Sequence, residues 1–379
     1  MKKQLTILLL FLFSCTFIYG QTFVKTNIPC DKELLKKTPG RWMPLGKVFF
    51  QATISKQQEQ EIEKRLNPIH QWVANIYPSP MAFDAKPFFS AVDHAFASQL
   101  EIERDQYGTR SSPVGGIPTT SYEYSAGFCA YHCGRTNYEI MLGAGCETGT
   151  SVTVTTNTLD RLLIGKHLED FEAEILRVDN RPIKMMFVLS GIKWKGQDIY
   201  IPRKGSGYYF VLLHRDGILP YIPVTRKQYL DRSIECLQKY FEKTIKSYEN
   251  PEGLPSLMDK KEKDEQVKKL QKFRDDVLKY YNDELAVTTK AGLLDSTAVI
   301  FGEMLHMYTQ YPVFMTQAEG GSLLVTENPA YFKKDLAKYI PQLIIFSMWN
   351  AQDGPDPEIP YKFYYQDFPI EKLKAMIDK

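Results

Sequence analysis

Residues 198–224 read DIYIPRKGSGYYFVLLHRDGILPYIPV, and from Thr225 onward apolar residues recur three and four apart. Asp198 to Ile201, Tyr208 to His214 and Ile218 to Val224 are short runs rich in aromatic and β-branched residues, separated by Arg203-Lys204-Gly205-Ser206-Gly207 and by Arg215-Asp216-Gly217. Glycine supplies the positive φ of tight turns, so this stretch predicts adjacent antiparallel hairpins. Thr225 with Gln228 three residues on forms a capping box that opens a helix, and Val224 can staple onto Tyr229. Leu230, Ile234, Leu237, Phe241 and Ile245 give that helix its apolar stripe. Strands followed by a helix that must bury one face predict an α+β fold, with antiparallel sheets packed against amphipathic helices.

The same grammar recurs outward. Asn250-Pro251-Glu252-Gly253 ends the helix, and Asp259 to Asp283 resumes with Val267, Leu270, Phe273, Val277 and Tyr281 at helical spacing. The short connector predicts a charged αα-hairpin. Upstream, Ser55 and Gln58 form a second capping box ahead of Ile62, Leu66, Ile69, Val73 and Ile76, with His70 and Trp72 on opposite shoulders of the stripe. Arg110 to Thr120, rich in Ser, Gly and Pro, reads as a loop. Tyr122 to Cys133, Tyr138 to Leu142 and Ser151 to Thr156 then read as a meander of strands. Toward the C-terminus, Ser322 to Thr326 and the almost wholly apolar Leu343 to Trp349 read as strands, Lys362 to Tyr365 as an edge strand, and Ile370 to Ile377 as a closing helix.

Residues 1–20 have the form of an export signal, with Lys2 and Lys3 ahead of an apolar stretch from Leu5 to Ile18 and a small residue, Gly20, at the cleavage position. Phe13 sits where a lipoprotein signal needs a small or aliphatic residue, which argues against lipid anchoring through Cys15. Four segments follow from these readings: the signal at 1–20, an α+β unit with cysteine-bearing strands at 21–160, hairpins plus capped helix at 161–250, and the charged helix with a C-terminal α+β unit at 251–379. After cleavage no transmembrane segment is expected, and the destination is the periplasm or the cell exterior.

The whole chain has 379 residues, with 47 basic and 45 acidic side chains. Loss of Lys2 and Lys3 makes the two counts equal. Without a basic excess or stripe, nucleic acid is not an expected partner. The densest charge run, Asp259 to Asp276, interleaves both signs and marks a solvated helix face.

Cys30, Cys129, Cys133, Cys146 and Cys236 remain after the signal. In an oxidising compartment the expectation is disulfides, with Cys129 to Cys146 the preferred bridge, worth about 3 kcal/mol in the loop-entropy model. Cys236 lies about 140° from the centre of its helix stripe, so it is expected to turn away from the core and is the candidate unpaired thiol, or else the partner of a bridge from Cys30 on a neighbouring element. Cys129, His132, Cys133 and Cys146 lack the second closely spaced pair that structural zinc uses, so no metal is expected, nor any cofactor.

No catalytic constellation is legible. No serine sits in a Gly-x-Ser-x-Gly elbow and no histidine in a His-Glu-x-x-His pattern. Lys204-Gly205-Ser206-Gly207 has its lysine on the wrong side of the glycines for a phosphate loop. Tyr122, Tyr124, Tyr131 and Tyr138 crowd the cysteine-bearing meander, and they are the candidate ligand-binding residues, as a platform for a sugar or an extended peptide; their alternative is packing beneath helices. The resulting expectation is an exported, non-catalytic protein that binds a partner, glycan or peptide. Its rivals are a secreted hydrolase whose site draws on Glu303, His306 and His132, and a structural component of an envelope assembly.

Overall fold

The computed structural model of the chain describes residues 37, 39–81, 83–105, 108–130, 148–164, 176–202, 207–249, 259–301, 312–350 and 364–379. The N-terminal half runs β1 (Arg41–Trp42), β2 (Gly46–Phe50), α1 (Lys56–Ile76), β3 (Phe83–Phe96), β4 (Gln99–Asp105), β5 (Gly108–Val114), β6 (Ile117–Ala130) and β7 (Thr148–Thr156). It continues through β8 (Arg177–Val178), β9 (Arg181–Pro182), β10 (Lys184–Met186), β11 (Val188–Trp194), β12 (Gln197–Ile201), β13 (Tyr208–Leu213) and β14 (Tyr221–Pro223). Next come α2 (Arg226–Glu249), α3 (Lys260–Lys290), β15 (Val299–Ile300), β16 (Ser322–Glu327), β17 (Ile344–Asn350) and α4 (Ile370–Lys374).

Nine of these strands form one sheet in the order β1-β3-β6-β7-β17-β13-β12-β11, with β2 also paired to β3. All neighbours are antiparallel except β1 and β2, which run parallel to β3. The three segments expected after the signal all contribute strands to this sheet. A smaller sheet, β10-β16-β14 with β15 on β16, stacks on part of one face. The fold is α+β, as the pattern of strands and capped helices predicts.

Alternation decides which side chains face which layer. On one face Ala85, Phe89, Tyr122, Tyr124, Ala126, Val152, Val154, Val211, Ile344 and Phe346 are buried against Ile62, Leu66, Ile69 and Val73 of α1. The α1 capping box is present, with the Gln58 amide donating to Ser55 Oγ and the Ser55 amide to Gln58 Oε1. On the other face Phe96, Ile117, Tyr200, Phe210, Leu212 and Ile345 pack with Met186, Tyr221 and Val325 of the smaller sheet. β17 is accordingly apolar on both faces over Ile344–Phe346, as its sequence predicts.

The smaller sheet is covered in turn by α2 and α3. The Thr225–Gln228 capping box closes at 2.9 and 3.1 Å, and Val224 and Tyr229 are buried in one cluster. Asp259 and Glu262 cap α3, which runs on to Lys290, beyond the expected Asp283. Phe241 meets Phe273, and Tyr229 meets Tyr281, so the two helices run antiparallel. No helix among the described residues is long and apolar enough to cross a membrane.

Several expectations are corrected. Ile218 to Val224 does not pair with β13; its core, β14, pairs with β16 in the smaller sheet. Pro220 and Pro223 withhold two amide donors there, which suits the edge strand that β14 forms. The expected loop at Arg110 to Thr120 is mostly strand, because β5 pairs along its whole length with β4 and β6 begins at Ile117. Tyr364 and Tyr365, expected in an edge strand, lie in a helical turn spanning 364–367. Cys236 does not turn away from the core. It is buried with Tyr229, Leu237 and Tyr281, because α3 covers the flank of α2 that the single-stripe reading leaves to solvent.

Candidate functional site

Tyr122 and Tyr124 share one face of β6, as alternation requires, but it is the face under α1. They are 1% and 0% exposed, and burial pushes both hydroxyls above the ordinary tyrosine range. The Tyr124 hydroxyl shares a 3.2 Å hydrogen bond with His70 Nδ1, and Trp42 stands edge-on to the same imidazole. Burial also lowers the pKa of His70, keeping it neutral near pH 7. These two rings therefore present no platform to solvent, which corrects the expectation for them. Tyr131, Tyr138, Cys133, Cys146, His132, Glu303 and His306 lie outside the described residues, as do the export signal and Cys30; Cys129 is placed by its backbone alone, in β6 opposite Asp84.

The opposite face of the same strands has a different chemistry. In β7 the sequence alternates Ser151, Val152, Thr153, Val154, Thr155. The valines go to the α1 core, so the hydroxyls face the other way. In β6, Glu123, Ser125 and Gly127 alternate with the buried tyrosines and Ala126, and in β17 Ser347 and Trp349 alternate with Phe346 and Met348. Registers align these residues into rows that cross the sheet. One row runs Tyr208, Trp349, Ser151, Gly127, Lys86; the next runs Phe210, Ser347, Thr153, Ser125, Phe88; a third runs Leu212, Ile345, Thr155, Glu123, Ser90.

Each of the first two rows is bulky at both ends and small in the middle. The result is a trough along β6 and β7, between an aromatic bank on β13 and β17 and a second bank on β3. β17 and β3 are three strand spacings apart, about 14 Å. Trp349 stacks on Tyr208 at 5.3 Å and 11°, and Tyr208 on Phe210 at 6.1 Å and 12°. Tyr208 is 38% exposed, and among the described residues Trp349 ends the stack on the trough side. The floor is hydroxylic: Ser125 Oγ and Thr153 Oγ1 share a 3.0 Å hydrogen bond, both buried, while Ser151, Ser347 and Gly127 are half-exposed.

One end of the trough is ionic. Glu123 Oε2 accepts from Thr155 Oγ1 at 2.9 Å and from Arg161 Nη2 at 2.6 Å. Beyond it, Lys184 Nζ donates to Glu327 at 2.8 Å and lies 3.7 Å from Asp160, while Glu327 Oε2 accepts from the Ala97 amide at 2.6 Å. Burial opposes the charge on Lys184, but Glu327 and Asp160 outweigh it and raise its pKa. His94 Nε2 and Thr119 Oγ1 are 3.1 Å apart; burial lowers the histidine pKa despite nearby Asp160 and Glu327. No group of three or more His, Cys, Asp or Glu among the described residues is arranged to hold a metal ion.

What this arrangement can do chemically is hold a flat, hydroxyl-bearing molecule: rings offer π faces to C–H bonds, and serine and threonine both donate and accept. The tyrosine reading missed it by favouring large side chains. The usable signal is the hydroxyl–valine alternation of residues 151–155, which assigns one face to a core and the other to something polar. No family model, curated protein or solved structure matches the chain.

Proposed function

We propose that the protein is an exported, non-catalytic binding protein that holds a saccharide in the trough between β3 and β17. The observation that carries this reading is the stacked Tyr208–Trp349 pair beside a floor of small hydroxylic side chains. A sugar ring lays its C–H face on an aromatic ring while its hydroxyls exchange with serine and threonine. An extended peptide fits less well, because it draws affinity from unpaired strand edges, and β6, β7 and β17 are each paired on both sides. Export rests on residues 1–20 and places the protein where extracellular or envelope glycans are met.

The test is calorimetric titration of the purified protein with a panel of oligosaccharides, alongside Trp349→Ala. The expected result is saccharide binding that weakens at least tenfold in the variant, about 1.4 kcal/mol, with the thermal melt little changed. Absence of any saccharide binding, or a Trp349→Ala protein that binds as well as the parent, overturns the reading; binding of unstructured peptides instead would reassign the trough.

A further inference from the structure

The polar groups of the trough divide into those already bonded and those left open. Ser125 and Thr153, in the middle row, bond each other, and Glu123 Oε2 accepts from Thr155 Oγ1, Arg161 Nε and Arg161 Nη2. Glu123 Oε1 accepts from no group among the described residues, and it is not buried: the side chain is 12% exposed and this oxygen reaches solvent. Ser151 and Ser347 likewise carry half-exposed hydroxyls with no partner among the described residues. An ionised carboxylate only accepts, so whatever completes Glu123 must donate, as a sugar hydroxyl does.

Register fixes how far that acceptor lies from the stacked indole. Trp349 is in the row of Ser151 and Gly127, and Glu123 is in the row of Thr155, four residues along β6 from Gly127, about 13 Å. β17 and β6 are two strand spacings apart, about 10 Å. The backbone positions of Trp349 and Glu123 are therefore about 16 Å apart on a diagonal whose midpoint is Thr153. A single sugar ring lying on Trp349 does not reach Glu123. A chain of three or more rings does.

We infer that the ligand is an extended oligosaccharide of at least three residues, with one ring on Trp349 and a hydroxyl of a more distant residue donated to Glu123 Oε1. This rests on the saccharide reading of the trough and adds to it a length and an acceptor. Thr155 and Arg161 grip the other oxygen of the same carboxylate, so Oε1 is held in place before a ligand arrives and little further ordering is needed to use it. The bond it forms is charge-assisted, hence stronger than one between neutral groups. A ligand anion at this point would meet an acceptor with no proton to give, so the distant residue is recognised through a hydroxyl and not through a carboxylate.

The probes are cello-, manno- and xylo-oligosaccharides of two, three and four residues, titrated calorimetrically into the purified protein. In at least one series affinity is expected to rise at least tenfold from two residues to four. Glu123→Gln keeps the shape of the side chain, but its carbonyl oxygen stays with Arg161 and Thr155 and its NH2 group turns a donor toward the trough. This variant is expected to lose the gain with length while holding the two-residue sugar as the parent does, whereas Trp349→Ala weakens every length. Affinity that does not change with length in the parent protein, or a gain that survives Glu123→Gln, overturns the inference and leaves the saccharide reading standing. Failure of all three series to bind, while other saccharides do, also overturns only this inference; failure of every saccharide removes the underlying reading with it.

Discussion

Gly116 occupies φ +84° at the turn that leads from β5 into β6, and a Cβ there would lie 2.9 Å from the Phe96 carbonyl oxygen and 3.0 Å from Ser98 Cα. Backbone atoms cannot swing aside as a side-chain tip can. Gly116→Ala is expected to cost about 2 kcal/mol, read as a lower midpoint in urea at unchanged slope. His70 and His94 set a second expectation. Burial depresses both pKa values below the ordinary 6.5, so the unfolded chain binds protons that the folded one refuses. Stability contributed in this way is full above the unfolded pKa and is lost as pH falls below about 6.5. Melting temperature should fall from pH 7.5 to pH 5.5, and His94→Gln should flatten that slope; a pH-independent melt would refute it. Residue by residue, the sequence disclosed orientation better than depth. That Tyr122 and Tyr124 share a face follows from a period of two, but which layer covers that face depends on α1, some sixty residues away. Cys236 departs from its expected exposure for the same reason, since the stripe of one helix takes no account of a second helix on its flank.

At the scale of elements, the helices were legible because their signals are local. Ser55–Gln58 and Thr225–Gln228 are reciprocal hydrogen-bond pairs within one turn, readable from residue type and spacing alone. Ser55→Ala is expected to lower stability by about 1 kcal/mol, measured by chemical denaturation, with Ser55→Asp restoring most of it. Strands depend on partners far along the chain and were read less completely. β3 carries a weak strand signal because three of its four core-facing positions, Ala85, Pro87 and Ala91, are small or ring-constrained, with Phe89 the one strand former among them, and it is ordered by β6 on one side and β2 on the other. The turn at Arg215-Asp216-Gly217 was read as a hairpin. Gly217 does adopt positive φ, yet the next strand crosses to the second sheet. Turn chemistry states that the chain reverses; the neighbour it then finds is decided elsewhere. The trough is a product of register among four strands, so no window of the sequence contains it.

At the scale of the molecule, the nine-stranded and four-stranded sheets are joined, among the described residues, by apolar packing and by an ionic clasp. Lys184 on β10 and Glu327 on β16 pair within the smaller sheet, and the second oxygen of Glu327 accepts from the Ala97 amide at the end of β3 in the larger one. Both side chains are mostly shielded from water. Lys184→Met strands the carboxylate and is expected to cost about 3 kcal/mol, whereas adding Glu327→Leu should recover much of that loss, since removing both charges removes the unpaired one. A double variant no more stable than Lys184→Met alone would show that Glu327 acts mainly through Ala97. α+β architecture was legible because three capped amphipathic helices and several strand runs each state their own type. The joining of three sequence segments into one sheet was not, because it turns on where β17 inserts.

β17 lies between β7 and β13, so a segment from near residue 350 is the seam between strands made from the first 160 residues and strands made from 188 to 213. Before that segment arrives, those two groups share no neighbouring strand among the described residues. The polypeptide cannot zip its sheet progressively as it emerges, and closure waits for residues 344–350. Of the described strands, the one made last is therefore the bolt, and what precedes it stays unfastened until it slides home.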